Sequence, residues 1–373
     1  MEFSDTETQA LLRETADRLM RDKYEFEARK KYLEAPEGYS VDLWREYGEL
    51  GLLGVDAREE HGGSGGTFAD LAVVLEAFGS GLAVEPYLSS IVLSAEALRA
   101  SGDKAKQDEW LPKLASGGAK MALACEEPAS RYDLGWIETK ARKEGDSYML
   151  TGAKAVVLGV PGADAILVSA RTSGGDGDRD GVSLFVLPRS ATGVTIQPVT
   201  NIDDRPAGEV TLENAGAALI GEEGKALPAL EAARDRAIAA VCCEALGIMH
   251  TLNQQTLEYL KTRNQFGRPI GKFQVLQHRM ADMMMAEQSA RSMAALAIAA
   301  TDNPDPVARS QAISAAKVQI GKSGNEVGRG AIQLHGGIGM TMELATAHYF
   351  RRLTAIEKMF GDTDYHLARF AGS

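Results

Sequence analysis

Asp235 is the residue of this chain whose type and setting point most directly to chemistry. It lies between Arg234 and Arg236 in LEAARDRAIAAVCCEALGI, residues 230–248, a helical pattern that is small or apolar from Ala237 onward, Glu244 apart. Residues one apart on a helix do not face each other, so neither arginine can neutralise Asp235 by local pairing. Its helical neighbours are Glu231, Ala232, Ile238, Ala239 and Cys242. A carboxylate at the edge of such a stripe loses hydration, and a poorly hydrated carboxylate is the better proton acceptor. The dipole of a helix start also favours an acid there, without any chemistry. The loop EEHGGSGGTFAD lacks the lysine and the preceding strand of a phosphate-binding loop, and reads as a helix connection. The cysteines Cys125, Cys242 and Cys243 form no CxxC, and the six histidines form no HExxH, so no metal site is expected. Unpaired thiols suit a reducing cytoplasm.

The elements that would position this acid change type along the chain. At 373 residues two or three domains are expected. The net charge of −12 argues against nucleic acid as a partner. The first twenty residues lack the basic start and apolar run of a secretion signal, and read as a helix capped by Ser4 or Asp5. No apolar run reaches the ~18 residues of a membrane span. Residues 1–118 carry helical periodicity. Residues 119–224 hold short runs rich in Val, Ile, Leu and Thr, such as AILVSART and VSLFVLP, too closely spaced for βαβ crossovers. Residues 225–373 return to long helices, at about 225–262 and 273–300, with another after the breaker TDNPDP. The expected fold class is a multi-domain α+β protein: an N-terminal helical domain, a central β-sandwich or barrel and a C-terminal four-helix bundle. Met283, Met284 and Met285 read as core filler.

Two motifs and one longer stretch carry a resemblance. They are TRNQFGRPIGKFQVLQH (262–278), AIQLHGGIGMTMELATAHYFRR (331–352) and GVDAREEHGGSGGTFADLAVVLEAFG (54–79). With the α–β–α order, they make nearly the whole chain resemble the acyl-CoA dehydrogenase family. The resemblance implies FAD as cofactor and an acyl-CoA substrate. It implies removal of a proton from Cα while Cβ gives a hydride to flavin N5. Arg263, Phe266 and Gln274 match residues that touch the adenosine half of FAD in the family, with Gly267 as a tight turn. Gln333, Gly336 and Gly337 match the motif that reaches the cofactor of a neighbouring subunit. An oligomer follows, a dimer of dimers of like or unlike chains, with an electron-transfer flavoprotein as acceptor.

Most relatives place the base, a glutamate, near the C-terminus; here MFGDTDYHL puts Phe360 at that position. Others carry it on the first long helix of the C-terminal part, just before an arginine. The matching pair is Asp235 as base and Arg236 as substrate contact, with Asp362 as the alternative base. His335 reads as a packed or capping residue. The side of the β domain that should cup the flavin ring departs from the family. CEEPASRYD puts Glu126 where a threonine is usual and Tyr132 where a serine is usual, and GAKAVVL puts Val156, Val157 and Leu158 where hydrogen-bonding side chains are usual. Glu126 would set negative charge where electrons accumulate. Two readings are open: a working dehydrogenase, or a cofactor-sharing, non-catalytic subunit of a heteromer.

Overall fold

The protein is described by a computed structural model covering residues 5–145 and 147–372. Helices α1 (Glu7–Lys23), α2 (Phe26–Glu34), α3 (Val41–Glu49), α4 (Phe68–Gly81), α5 (Ala95–Ala100) and α6 (Lys104–Ala115) come first. Strands β1 (Met121–Ala124), β2 (Lys140–Glu144), β3 (Ser147–Leu158), β4 (Ala165–Arg171), β5 (Val182–Pro188), β6 (Val194–Thr200) and β7 (Pro206–Ile220) follow. The chain then runs through α7 (Leu227–Thr262), the hairpin strands β8 (Asn264–Gln265) and β9 (Arg268–Pro269), α8 (Gln274–Ala300), α9 (Pro306–His335), α10 (Ala345–Lys358) and α11 (Thr363–Ala371). This is the expected α–β–α class, with a barrel-like sheet at the centre.

Packing divides the chain into two compact units that do not follow chain order. One holds the chain up to Lys30, Phe68–Ala83, and everything from Ile238 onward; the other holds Lys31–Thr67 and Val84–Ala237. The second unit is built on the sheet. Pairings β4–β5, β5–β7, β7–β3 and β3–β2 are antiparallel, and the parallel β2–β4 contact at Lys140↔Arg171 closes them into a ring. β1 adds to β4 and β6 to β7. Tyr148, Leu150, Ile166, Val168, Phe185, Leu187, Val210 and Leu212 fill the interior. All seven residues of β4 are buried, which is why AILVSAR reads as a run rather than an alternation.

In the first unit, α1 begins at Thr6. Its hydroxyl accepts the Gln9 N–H, and the Gln9 side chain returns to the Thr6 N–H. This corrects the expected cap. Asp5 has a threonine three residues on and cannot complete such a box, whereas Thr6 has Gln9. Asp5 instead pairs with Arg13 at 2.6 Å, and Ser4 lies outside the described residues. Helices α4 and α7 meet backbone to backbone. A Cβ on Gly79 would stand 2.0 Å from the Glu244 carbonyl oxygen, and one on Gly247 1.9 Å from that of Glu76. Glu244, the one acid in the apolar stretch of α7, is gripped by Arg352 of α10 at 2.8 and 2.5 Å. The methionine run is not all core: Met283 is buried, but Met284 and Met285 are 52% and 61% exposed. Successive helix positions turn by about 100°, so three in a row cannot share one face.

Candidate active site

Asp235 lies in the third turn of α7 and is 1% exposed. Its flanking arginines reach outward from the helix. Arg234 donates from Nη1 to the Tyr132 carbonyl oxygen at 3.0 Å. Arg236 donates from Nη2 to Asp56 Oδ2 at 2.5 Å, with Glu96 at 3.6 Å from its Nε. Arg99 completes this cluster, 3.1 Å from Asp56 and 3.0 Å from Glu96. Arg236, expected as a substrate contact, is therefore held in a largely buried ion network that anchors the helix. A pair of this kind is costly to break from one side, about 3–5 kcal/mol.

Arg234 ties this part of α7 to the loop CEEPASRYD that follows β1. Within that loop Glu127 is structural. It accepts from Lys154 Nζ at 2.6 Å, from the Thr139 hydroxyl at 2.6 Å, and from the backbone N–H groups of Glu138 and Thr139. Glu126 differs. It is half-buried, and its carbonyl oxygen takes the Ala155 N–H at 2.9 Å. Burial pushes its carboxyl group above the usual carboxylate range, against the opposing charge of Arg234. Desolvation of this kind disfavours the charged form, so it works against the negative charge expected at this place. Cys125 beside it is pushed up to about 12 by burial, and is a thiol rather than a nucleophilic thiolate.

Backbone strain gathers on the same side. Arg131 (φ 43°), Tyr132 (φ 73°) and Val156 (φ 49°) are in the left-handed region without being glycine, and Val156 is 50% exposed. Each such residue costs on the order of 1–3 kcal/mol. Val157 is buried in the barrel interior, and Leu158 pairs with Ala207 at the end of β3.

The other expected residues lie in the first unit. Their two motifs meet there. Tyr259, in the last turn of α7, stacks on His335 with ring centroids 4.5 Å apart and donates its hydroxyl to the His335 carbonyl oxygen at 3.3 Å. Arg263 and Gly336 lie just beyond these two residues. His335 is packed, as expected: it is 5% exposed, with Nδ1 2.8 Å from the Ala331 carbonyl oxygen, and burial lowers its basicity. Around it the surface is open. Phe266 is 88% exposed at φ 53°, and Arg263, Gln274, Gln333, Gly336 and Gly337 are exposed. A Cβ on Gly267, Gly336 or Gly337 would meet nothing within 4 Å. An exposed guanidinium, a bare aromatic ring and open glycine backbone are a donor set that fits a flat, anionic dinucleotide. A neighbouring groove of 550 Å³ is lined by Leu257, Leu260, Pro269, Met280 and Met284, with Lys261 and Lys272 at hand.

Asp362 caps α11 through the Tyr365 N–H at 3.0 Å. That bond, with Lys358 nearby, holds its carboxyl below the usual range, the wrong direction for a base. Phe360 is buried at φ 60° and brings no acid to its turn.

A helical, β-barrel, helical chain with these two motifs belongs to a recognisable class of flavin-linked dehydrogenases. The acyl-CoA dehydrogenase N-terminal, middle and C-terminal domain models match residues 6–118, 122–215 and 231–372. The chain is 32% identical over 321 residues to the mitochondrial isovaleryl-CoA dehydrogenase of Arabidopsis thaliana, covering 83% of this chain and 77% of that protein. Among solved structures it resembles the Tcur3481-Tcur3483 steroid ACAD (TM-score 0.88, 30% identity, 98% of this chain and 97% of that one). It also resembles the ChsE4-ChsE5 complex from Mycobacterium tuberculosis (TM-score 0.87, 26% identity, 100% and 98%). The protein belongs to the acyl-CoA dehydrogenase family of oxidoreductases.

Proposed function

We propose that the protein desaturates an acyl-CoA thioester between Cα and Cβ, with Asp235 as the base. The observation that carries this reading is the burial of Asp235 on a turn tied by Arg234 to the Tyr132 loop and by Arg236 to Asp56. A fixed helix turn holds the carboxylate for one direction of approach. Asp235 takes the α-proton. FAD, when bound, supplies the acceptor for the hydride from Cβ. Arg263, Phe266, Gln274, Gln333, Gly336 and Gly337 hold its adenosine side through guanidinium, ring, amides and bare backbone. The acceptor downstream is an electron-transfer flavoprotein, an expectation that rests on the family. Like or unlike copies associate through the exposed apolar surface of α8 and the adjoining hairpin, where Phe266, Val275, Met284 and Met285 are uncovered.

The test is Asp235→Asn in the purified, FAD-loaded protein. Turnover and exchange of the substrate α-proton with solvent deuterium should both fall about 10²–10⁴-fold, with bound FAD unchanged. Undiminished α-proton exchange overturns the assignment.

A second reading is favoured by one observation, the strained Arg131, Tyr132 and Val156 on the side where the family cups the flavin ring. In it the chain lends its adenosine-side residues to FAD held by an unlike partner. Its support includes the two paired proteins among its structural relatives. A yellow protein from expression of the chain alone favours the first reading, and a colourless one that turns yellow only with a second chain favours the other.

A further inference from the structure

Arg171 ends β4 with its side chain buried, 2% exposed. Its guanidinium donates only to main-chain carbonyl oxygens, six of them. Nε reaches Ile137 at 3.2 Å. Nη1 reaches Asp180 at 2.9 Å and Ser173 at 3.4 Å. Nη2 reaches Gly135 at 2.7 Å, Asp178 at 2.9 Å and Asp176 at 3.0 Å. Two separate segments, 135–137 and 173–180, thus turn their carbonyl dipoles on one cation. A hydrogen bond to a charged group is worth about 1.5–3 kcal/mol, so the cation adds to the direct backbone bond between the segments, from the Ile137 N–H to the Asp176 carbonyl oxygen at 2.8 Å.

The aspartates of DGDRDG (176–181) play no part in this cage through their carboxylates. Asp176 pairs with Lys140, Asp178 accepts the Gly175 N–H at 2.7 Å, and Asp180 pairs with Lys225 at 3.2 Å. The cation that organises the loop is Arg171 itself.

Both gripped segments continue to α7. The first runs back through successive turns, Trp136 N–H to the Asp133 carbonyl and Asp133 N–H to that of Ser130, to Tyr132, whose carbonyl oxygen receives Arg234. The second carries Arg179, which donates to Glu231 at 2.6 Å. Glu231 and Arg234 are four residues and one residue before Asp235.

We propose that Arg171 is a positioning residue: by gathering these two segments it fixes the first turns of α7, and with them the place of Asp235 against the loop that bears Glu126. The proposal rests on the reading of Asp235 as base. Arg171→Lys keeps the charge but replaces a five-donor planar fork by a point with three donors.

In the full-length protein as purified, amide exchange in 227–240 should rise about 10-fold, together with 130–137 and 172–181, as charged hydrogen bonds are lost. In the same variant kcat should fall on the order of 10²-fold, with KM moving less. Exchange that rises only in the two loops, with 227–240 protected as in wild type, overturns the proposal, because a merely structural arginine would give that pattern. An unchanged kcat in the folded variant overturns it too. If the wild-type protein turns over no acyl-CoA, the Asp235 reading fails, and the exchange pattern alone decides the coupling. Should Arg171→Lys fail to fold, Arg179→Ala leaves the cage intact and cuts one link to the helix. Raised exchange in 227–235 then supports the coupling, and unchanged exchange refutes it.

Discussion

At the scale of single residues, the same chemical type has opposite fates by position. Asp235 and Asp362 are both aspartates near the start of a helix, yet one is withdrawn from water and the other spends its oxygen on a cap. Asp362→Asn should therefore leave turnover within about 2-fold and cost about 1 kcal/mol at most, because asparagine caps as well as aspartate. Thermal unfolding and steady-state rates check this. Glu244 and Arg352 make the reverse case: a buried, bidentate pair with no solvent to replace a lost partner. Arg352→Ala should cost about 3–5 kcal/mol in denaturant unfolding, since it strands a buried carboxylate. Sequence reading isolated Asp235, Arg263 and Phe266, because a charge in an apolar stripe and a motif are both local signals. It could not foresee the desolvation of Glu126, which depends on packing by residues far off in the chain. Nor did it single out Arg171, whose one signal is an arginine closing an otherwise apolar strand.

At the scale of elements, two contacts set how the helices of the first unit lie. Gly247→Ala should destabilise by about 3 kcal/mol or more, the upper end for overpacking, since the Cβ would strike the backbone of α4 rather than a yielding side chain. The second contact joins α7 to α8 through His250 and Glu287, 3.1 Å apart. The hydrogen bond to Glu287 raises the His250 imidazole above its ordinary 6.5. Burial pushes the Glu287 carboxyl up, but His250 and Asn253 outweigh it and hold it below its ordinary 4.5. A raised histidine stabilises fully below 6.5 and loses that contribution as pH rises through its folded value; a lowered carboxyl stabilises above 4.5 and loses it as pH falls. The pair therefore contributes most between about pH 4.5 and 6.5. His250→Gln should narrow its stability gap from wild type as pH climbs past neutrality. A gap that stays constant from pH 5 to 9 would sink the assignment. Helix spans and the β texture were legible from periodicity. The exposure of Met284 and Met285 was not, because a run of methionines says nothing about how many of them turn inward.

At the scale of the whole molecule, the order of elements was plain in the sequence, but the grouping of α1 and α4 with the C-terminal helices was not. That grouping depends on contacts between residues more than a hundred positions apart, such as Gly79 with Glu244. The uncovered apolar surface on α8 makes a prediction of its own. Met284→Glu with Met285→Glu should lower the solution mass to a smaller assembly while each chain stays folded, as read by light scattering. The Arg171 cage has a last consequence. Because the cation at its heart is covalently part of the chain, no chelator can strip it and no shortage of mineral ions can empty it. The turn of helix it steadies is insured against the ionic fortunes of the cell, and only a change in the gene can withdraw that insurance.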